Sequence, residues 1–295
     1  MSRTLKIALG SLGIGLLVFA LKLVAYFLTG SIGLYSDAME SLVNVGAAIA
    51  VILALWLSGK PADANHPYGH TKAEFFSAVL EGVLIIVAAA SILVEAYRGL
   101  IVPPVLEEPT TGLLVNVAAT LINGGWAFVL VTMGRRYGSP ALSADGRHLI
   151  ADVVTSVGVV AGVLIAVATG VAVIDPIVAS LVALNVLWSG WKLVRESVGG
   201  LMDEAAPPEQ VERIRAVISK HAEGAIEAHD LRTRNAGALT FVEFHLVVSG
   251  EMSVSAAHDI CDRIEQALHD EFPDSRVTIH VEPEEKAKHE GIVVV

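Results

Sequence analysis

Asp37-Ala-Met-Glu40-Ser-Leu-Val-Asn44 and Asp145-Gly-Arg-His148-Leu-Ile-Ala-Asp152 carry the same polar rhythm. In each, polar residues stand at i, i+3 and i+7, which a helix gathers on one face. Both lie inside long apolar stretches. Six such stretches, near residues 6 to 28, 33 to 57, 76 to 101, 112 to 133, 141 to 169 and 172 to 195, each run about 20 residues or more and suit a helix crossing a hydrocarbon core of roughly 30 Å. Ionisable groups inside such spans are costly, so each marks a functional site by default. If the two faces meet, Glu40, Asn44, His148 and Asp152 offer four oxygen or imidazole donors to a divalent transition metal. The competing reading is that they are hydrogen bonds gluing helices together. Asp37 and Asp145, one turn earlier, read either as ligands or as supporting or entrance groups.

Composition agrees with a membrane protein. Of 295 residues, 54% are hydrophobic and 17% charged, with mean hydropathy +0.62, against roughly 25% charged in a soluble domain. The net charge of -11 argues against a nucleic-acid partner, which asks for a basic surface. Cys261 is the single cysteine, so no intrachain disulfide and no four-cysteine metal site can form. The N-terminal stretch is too long for a signal-peptide core and Lys22 interrupts it.

Lys and Arg accumulate on the cytoplasmic side of short loops. Arg3 and Lys6, Lys60 and Lys72, Arg135, Arg136 and Arg147, then Lys192 and Arg195 fall on one side, with Arg98 alone opposite. Six spans with both termini in the cytoplasm follow, so residues 1–206 read as a transmembrane domain. After Pro207 the composition shifts to 9 Lys+Arg against 17 Asp+Glu, a sum of -8. Helical spacing over 208 to 221 and 254 to 271, and strand patterns over 227 to 234, 239 to 248 and 276 to 281, predict an α+β domain in the order α-β-β-α-β over residues 207–283. Residues 284–295 read as a polar tail. Lys22 reads as snorkelling or paired, Glu95 as a partner of Arg98, Asn116 and Asn123 as interhelical hydrogen-bonders, and Gly158-x-x-x-Gly162 as a site of close helix approach.

Between the second and third spans lies Lys60-Pro-Ala-Asp63-Ala-Asn-His66-Pro-Tyr-Gly-His70-Thr-Lys72-Ala-Glu74. Asp63, His66 and His70 suit one ion, although prolines and glycine are also ordinary turn chemistry. In the terminal domain His280 and Glu282, two apart on a strand, share a face; His245 stands in the neighbouring run and His258 on the intervening helix.

These blocks, with Gly200-Leu-Met-Asp203, resemble the cation diffusion facilitator family over nearly the whole chain. The resemblance implies a six-helix transmembrane domain with a metallochaperone-like cytoplasmic domain. It implies a homodimer in a bacterial inner membrane that exports a divalent cation (Zn2+ or Fe2+, with Co2+, Cd2+ and Mn2+ as further candidates) in exchange for protons by alternating access. It places the transport site at Glu40, Asn44, His148 and Asp152, a charge pair at Lys72 and Asp203, and a cytoplasmic ligand at His229. Together with His245, His258, His280 and Glu282 this gives a regulatory metal site in the cytoplasmic domain. Glu40 and Asn44 depart from the family's usual Asp or His followed by Asp, which leaves the metal open. Two rivals are a metal-responsive sensor without transport and an intramembrane metallohydrolase; no H-E-x-x-H, G-x-S-x-G or P-loop supports an enzyme.

Overall fold

The computed structural model describes residues 3–102, 109–137, 140–237, 239–288 and 291–293, in two compact units, Met1–Val198 and Gly199–Val295. The first unit contains α1 (Arg3–Thr29), α2 (Ile32–Ser58), α3 (Ala73–Ile101), α4 (Pro109–Arg136), α5 (Pro140–Thr169) and α6 (Ile174–Leu201), the last ending just inside the second unit. All six are long and apolar enough to cross a membrane. Large apolar side chains such as Phe27, Leu53, Trp56, Val87, Phe128 and Val154 stand exposed, as lipid-facing surfaces require. The interior of the bundle instead buries Lys22, Asp37, Glu40, Asn44, Asn116 and Asp152.

Two details fix helix placement. Gly30 takes a left-handed turn at φ 66°, which glycine adopts without a Cβ clash, and Ser31 then caps α2 by accepting from the Leu34 amide at 3.2 Å. The buried Asp175 of α6 accepts from the amides of Ile32 and Gly33 and from Ser31 Oγ at 2.7, 3.2 and 2.7 Å. Its carboxylate thereby satisfies donors that the first turn of α2 would otherwise leave open. Elsewhere, α3 and α6 touch backbone to backbone: a Cβ on Gly82 would stand 2.6 Å from Val194 Cγ2, and one on Gly190 would stand 2.7 Å from Ile85 Cγ2. Of the Gly158-x-x-x-Gly162 pair, Gly162 makes the close approach, to Val178 of α6, whereas Gly158 faces open space.

The second unit continues with α7 (Pro208–His221), β1 (Glu227–Ala236), β2 (Leu239–Val248), α8 (Val254–Glu271), β3 (Ser275–Pro283) and β4 (Ile292–Val293). Pro208 opens α7, where its missing N–H costs nothing, and Ser253 caps α8 by accepting from the Ala256 amide at 3.1 Å. The sheet order is β3-β2-β1-β4, antiparallel except for the β2–β3 pair, which α8 joins as a crossover. Alternate residues Val242, Phe244, Leu246 and Val248 of β2 pack with Ile214, Ile218, Ile260, Ile264 and Leu268 from the two helices. Each such large side chain contributes about 1.5–3 kcal/mol on burial. The α-β-β-α-β order is as the sequence predicts, with one addition. Where it reads as a polar tail, Glu284–Lys286 form a helical turn and Ile292 and Val293 pair with Ala228 and Glu227. His289 lies outside the described residues.

Candidate functional site

Helical spacing places Glu40 and Asn44 on one face of α2, and His148 and Asp152 on one face of α5; the structure brings the two faces together. Asn44 Nδ2 donates to Asp152 Oδ2 at 2.5 Å, Asn44 Oδ1 stands 3.1 Å from His148 Nε2, and His148 Nε2 lies 3.8 Å from Asp152 Oδ1. The amide is thereby oriented, with its nitrogen toward a carboxylate and its oxygen toward the imidazole. Glu40 Oε2 accepts from Thr155 Oγ1 at 2.8 Å, whereas Glu40 Oε1 is buried without a hydrogen-bond partner among the described residues. Glu40, His148, Asp152 and Thr155 line a cavity of about 40 Å3, walled further by Ile85 and Ala88 of α3 and by Asn185, Val186 and Ser189 of α6. Room of that size admits a water or a metal ion. A buried carboxylate oxygen left without a donor is costly unless a cation or water meets it.

Asp37 and Asp145 do not join this group. Asp37 Oδ1 receives Lys22 Nζ of α1 at 2.5 Å and Ser156 Oγ of α5 at 2.5 Å, and its Oδ2 receives Asn116 Nδ2 of α4 at 2.8 Å. Lys22 is thus paired and fully enclosed rather than snorkelling, since its Nζ finds a carboxylate and the Ser156 hydroxyl, at 3.0 Å, within the bundle. Asp145 instead accepts from Ser11 Oγ of α1 at 2.9 Å. Glu81 of α3 lies near enough to His148, Asp145 and Asp152 to interact with their charges, which its sequence position does not disclose. Asn116 bonds between helices as expected; the Asn123 amide nitrogen is buried without a hydrogen-bond partner among the described residues. Glu95 pairs with Arg98 at 3.2 Å. Thr155, Ser156 and Asp175 had no sequence signal beyond being polar in an apolar run.

In the loop before α3, Asp63, His66 and His70 place one ligand atom each within 4.8 Å of one another. Asp63 contacts His66 Nδ1 at 3.1 Å and His70 Nε2 at 3.4 Å. Backbone amides of His66 and Asn65 close an Asx turn on the Asp63 Oδ1, and this hydrogen bonding, the His66 amide foremost, holds its carboxyl below the usual range.

The second unit aligns three histidines in a ladder. His229 of β1 is paired with His245 of β2, and His245 with His280 of β3. Glu282 gathers them, lying 3.3 Å from His229 Nε2, 3.3 Å from His245 Nδ1 and 3.7 Å from His280 Nε2. Glu227 fixes the His229 ring through Nδ1 at 2.8 Å, leaving Nε2 directed at the cluster. Asp230, absent from the sequence-based candidates, completes a possible ligand group with His229 and His245 because a bulge after His229 turns it with φ 52°. Lys288 Nζ, 2.6 Å away, holds the Asp230 carboxyl below its ordinary value. His258 is not brought to this group. His245 projects from the face of β2 opposite the core, whereas His258 rides the exposed side of α8, which covers the other face, and contacts Asp262 at 3.5 Å. Asp203, with φ 61°, accepts from Arg234 at 3.2 Å.

Comparison with known proteins agrees with this architecture. Residues 8–202 match the cation efflux transmembrane domain and 206–284 the cytoplasmic domain of cation efflux proteins. A transporter of Synechocystis sp. described as uncharacterized is 44% identical over 278 residues, covering 94% of this chain and 90% of its own length. The cation-efflux pump FieF of Escherichia coli strain K12 is 30% identical over 293 residues, covering 97% and 95%. Among solved structures, the Zn form of CzrB is 54% identical across 29% of this chain and 98% of its own, with a TM-score of 0.28. With both domains matched in order and whole-length relatives that are transporters, this chain is an integral membrane protein of the cation efflux, or cation diffusion facilitator, family.

Proposed function

We propose that this chain exports a divalent transition-metal cation from the cytoplasm in exchange for protons, by alternating access, binding the ion between α2 and α5. The observation that carries this reading is the convergence of Glu40, His148 and Asp152 on one small cavity, with Asn44 bonded to both His148 and Asp152 and with Glu40 Oε1 buried and without a hydrogen-bond partner among the described residues. Proton exchange has a local basis. Asn44 Oδ1 is an acceptor, so His148 Nε2, 3.1 Å away, must carry hydrogen to bond it. A metal at Nε2 needs the lone pair instead, and the proton leaves or passes to Nδ1. Zn2+ and Fe2+ are the leading candidates, with Co2+, Cd2+ and Mn2+ behind them. In proteoliposomes with an imposed pH gradient, uptake of one of these ions should alkalinise the lumen in proportion to ion moved. Ion movement indifferent to the gradient would remove proton coupling.

The same reading makes the protein a homodimer of a bacterial inner membrane with both termini cytoplasmic, the orientation favoured by the loop charges. It makes Lys72 and Asp203 a charge pair at the cytoplasmic edge, where Asp203 would be shared with Arg234. It assigns Asp63, His66 and His70 a loop ion. It gives the second unit a regulatory ion on His229, His245, His280 and Glu282, without His258, which contacts Asp262 on the exposed side of α8. That unit has its own core of helices on a sheet, so residues 207–295 can be studied alone. Isothermal titration of this fragment should show uptake of Zn2+, weakened about 10- to 100-fold by His245→Ala, since His245 is the middle rung of the ladder. Equal uptake by both proteins would reduce the histidines to surface groups.

A further inference from the structure

Resting on the transport site proposed above, we infer that Asn185 and Ser189 of α6 add neutral oxygen donors to the ion held by α2 and α5, shifting its selectivity from four-coordinate Zn(II) toward Mn(II) and Fe(II). Both residues line the cavity that Glu40, His148 and Asp152 share. They are nevertheless exposed, on a helix whose exposed neighbours Leu181, Leu184, Trp188 and Trp191 are apolar. Polar side chains on a membrane span face protein or a water-filled path rather than hydrocarbon.

Their chemistry suits a cation. Ser189 Oγ donates to the Asn185 backbone carbonyl at 3.0 Å; with its hydrogen so engaged, the hydroxyl turns lone pairs outward. The Asn185 carboxamide makes no side-chain hydrogen bond among the described residues, so its oxygen is uncommitted. Across the cavity Glu40 Oε1, on a residue only 5% exposed, has no hydrogen-bond partner among the described residues either. The stripe continues at helical spacing: Asn185, Ser189, Lys192 and Glu196 stand at i, i+4, i+7 and i+11, and Lys192 pairs with Glu196 at 3.8 Å. A polar lane thus runs from the cavity along α6 to the end that carries Lys192 and Arg195. Zinc is satisfied by four donors, whereas Mn(II) and, among oxygen ligands, Fe(II) accept six. Asn44 in place of a charged group already makes the four-donor set oxygen-rich and less charged, and two more neutral oxygens extend it in the same direction.

The test uses the full-length protein in proteoliposomes, with Zn(II), Mn(II) and anaerobic Fe(II) offered separately, and compares the wild type with Asn185→Leu/Ser189→Ala. The double variant should raise the Zn(II)-to-Mn(II) rate ratio roughly ten-fold, equivalent to about 1.4 kcal/mol. Co(II) absorption, recorded as a difference against Asp152→Ala so that the loop and cytoplasmic sites cancel, should be weak for the wild type and several-fold stronger for the variant as six ligands become four. An unchanged ratio with an unchanged difference spectrum overturns the inference, as does a change confined to oligomeric state, which would make the stripe a contact between copies. Should the apolar pair prevent folding, Asn185→Ser carries the same two measurements. Failure of the transport site itself shows differently, as wild-type flux and full Co(II) uptake in Asp152→Ala.

Discussion

Asp152→Ala is expected to abolish metal-driven flux, by at least about 100-fold, while the protein still folds into its six-helix bundle. One substitution removes three things at once. It deletes one of the two carboxylates of the site, it frees the Asn44 amide held at 2.5 Å, and it takes away the anion 3.8 Å from His148 Nε2. Asp152→Asn separates these effects, because it preserves shape and an acceptor but not charge. Its flux should fall nearly as far, since an ion of charge two facing a single carboxylate loses most of its electrostatic hold. The measurement is initial uptake into proteoliposomes beside gel filtration of the same preparation; flux within half of wild type in Asp152→Ala would remove Asp152 from the site. The reciprocal change, Asn44→Asp, sets two carboxylates against each other at hydrogen-bond distance. Tighter Zn(II) binding is expected at the expense of the ion-free state.

The legible part of this protein was what periodicity encodes. Apolar runs longer than 20 residues admit one solution in a bilayer, and the i, i+3, i+7 rhythm at Glu40 and Asp152 states which face each residue occupies. Alternation in 239 to 248 likewise separates His245 from the core residues Phe244 and Leu246. Periodicity names a face but not its partner. Nothing in the run around Lys22 shows that Asp37, fifteen positions on, receives its ammonium, or that Asp175 reaches back across the chain to the first turn of α2. Asp230 carries no signal in the strand period because a bulge turns it. The position of His258 between strands groups it with the other histidines, whereas a helix lying on the core face of a sheet cannot present its exposed side to the opposite face. The pairing of Ile292 and Val293 with β1 is too short to leave any alternation to read.

The enclosed Lys22–Asp37 pair should govern stability more than any other single contact described above. Both groups are 1% or less exposed, and the carboxylate also receives Asn116 and Ser156, so α1, α2, α4 and α5 meet at one charge centre. Lys22→Met keeps the length of the side chain and strands the Asp37 carboxylate without its cation. The expected cost is about 3–5 kcal/mol, the range for breaking a buried pair by removing one partner. Lys22→Met/Asp37→Asn leaves no charge to strand, and an amide oxygen can still accept from Asn116 or Ser156; replacing both partners of a buried pair is often neutral. The double variant should therefore regain most of the loss, a non-additivity that thermal unfolding in detergent reads directly as two melting temperatures on either side of a wide gap. A double variant as unstable as the single would place the cost in packing rather than in an unpaired charge. Flux measured on the same proteins adds a further distinction. Asp37 stands one turn before Glu40 on α2, yet its oxygens are turned to Lys22, Ser156 and Asn116, away from the cavity that Glu40 lines. Ion transport should accordingly follow folding, lost in Lys22→Met and restored with stability in the double variant.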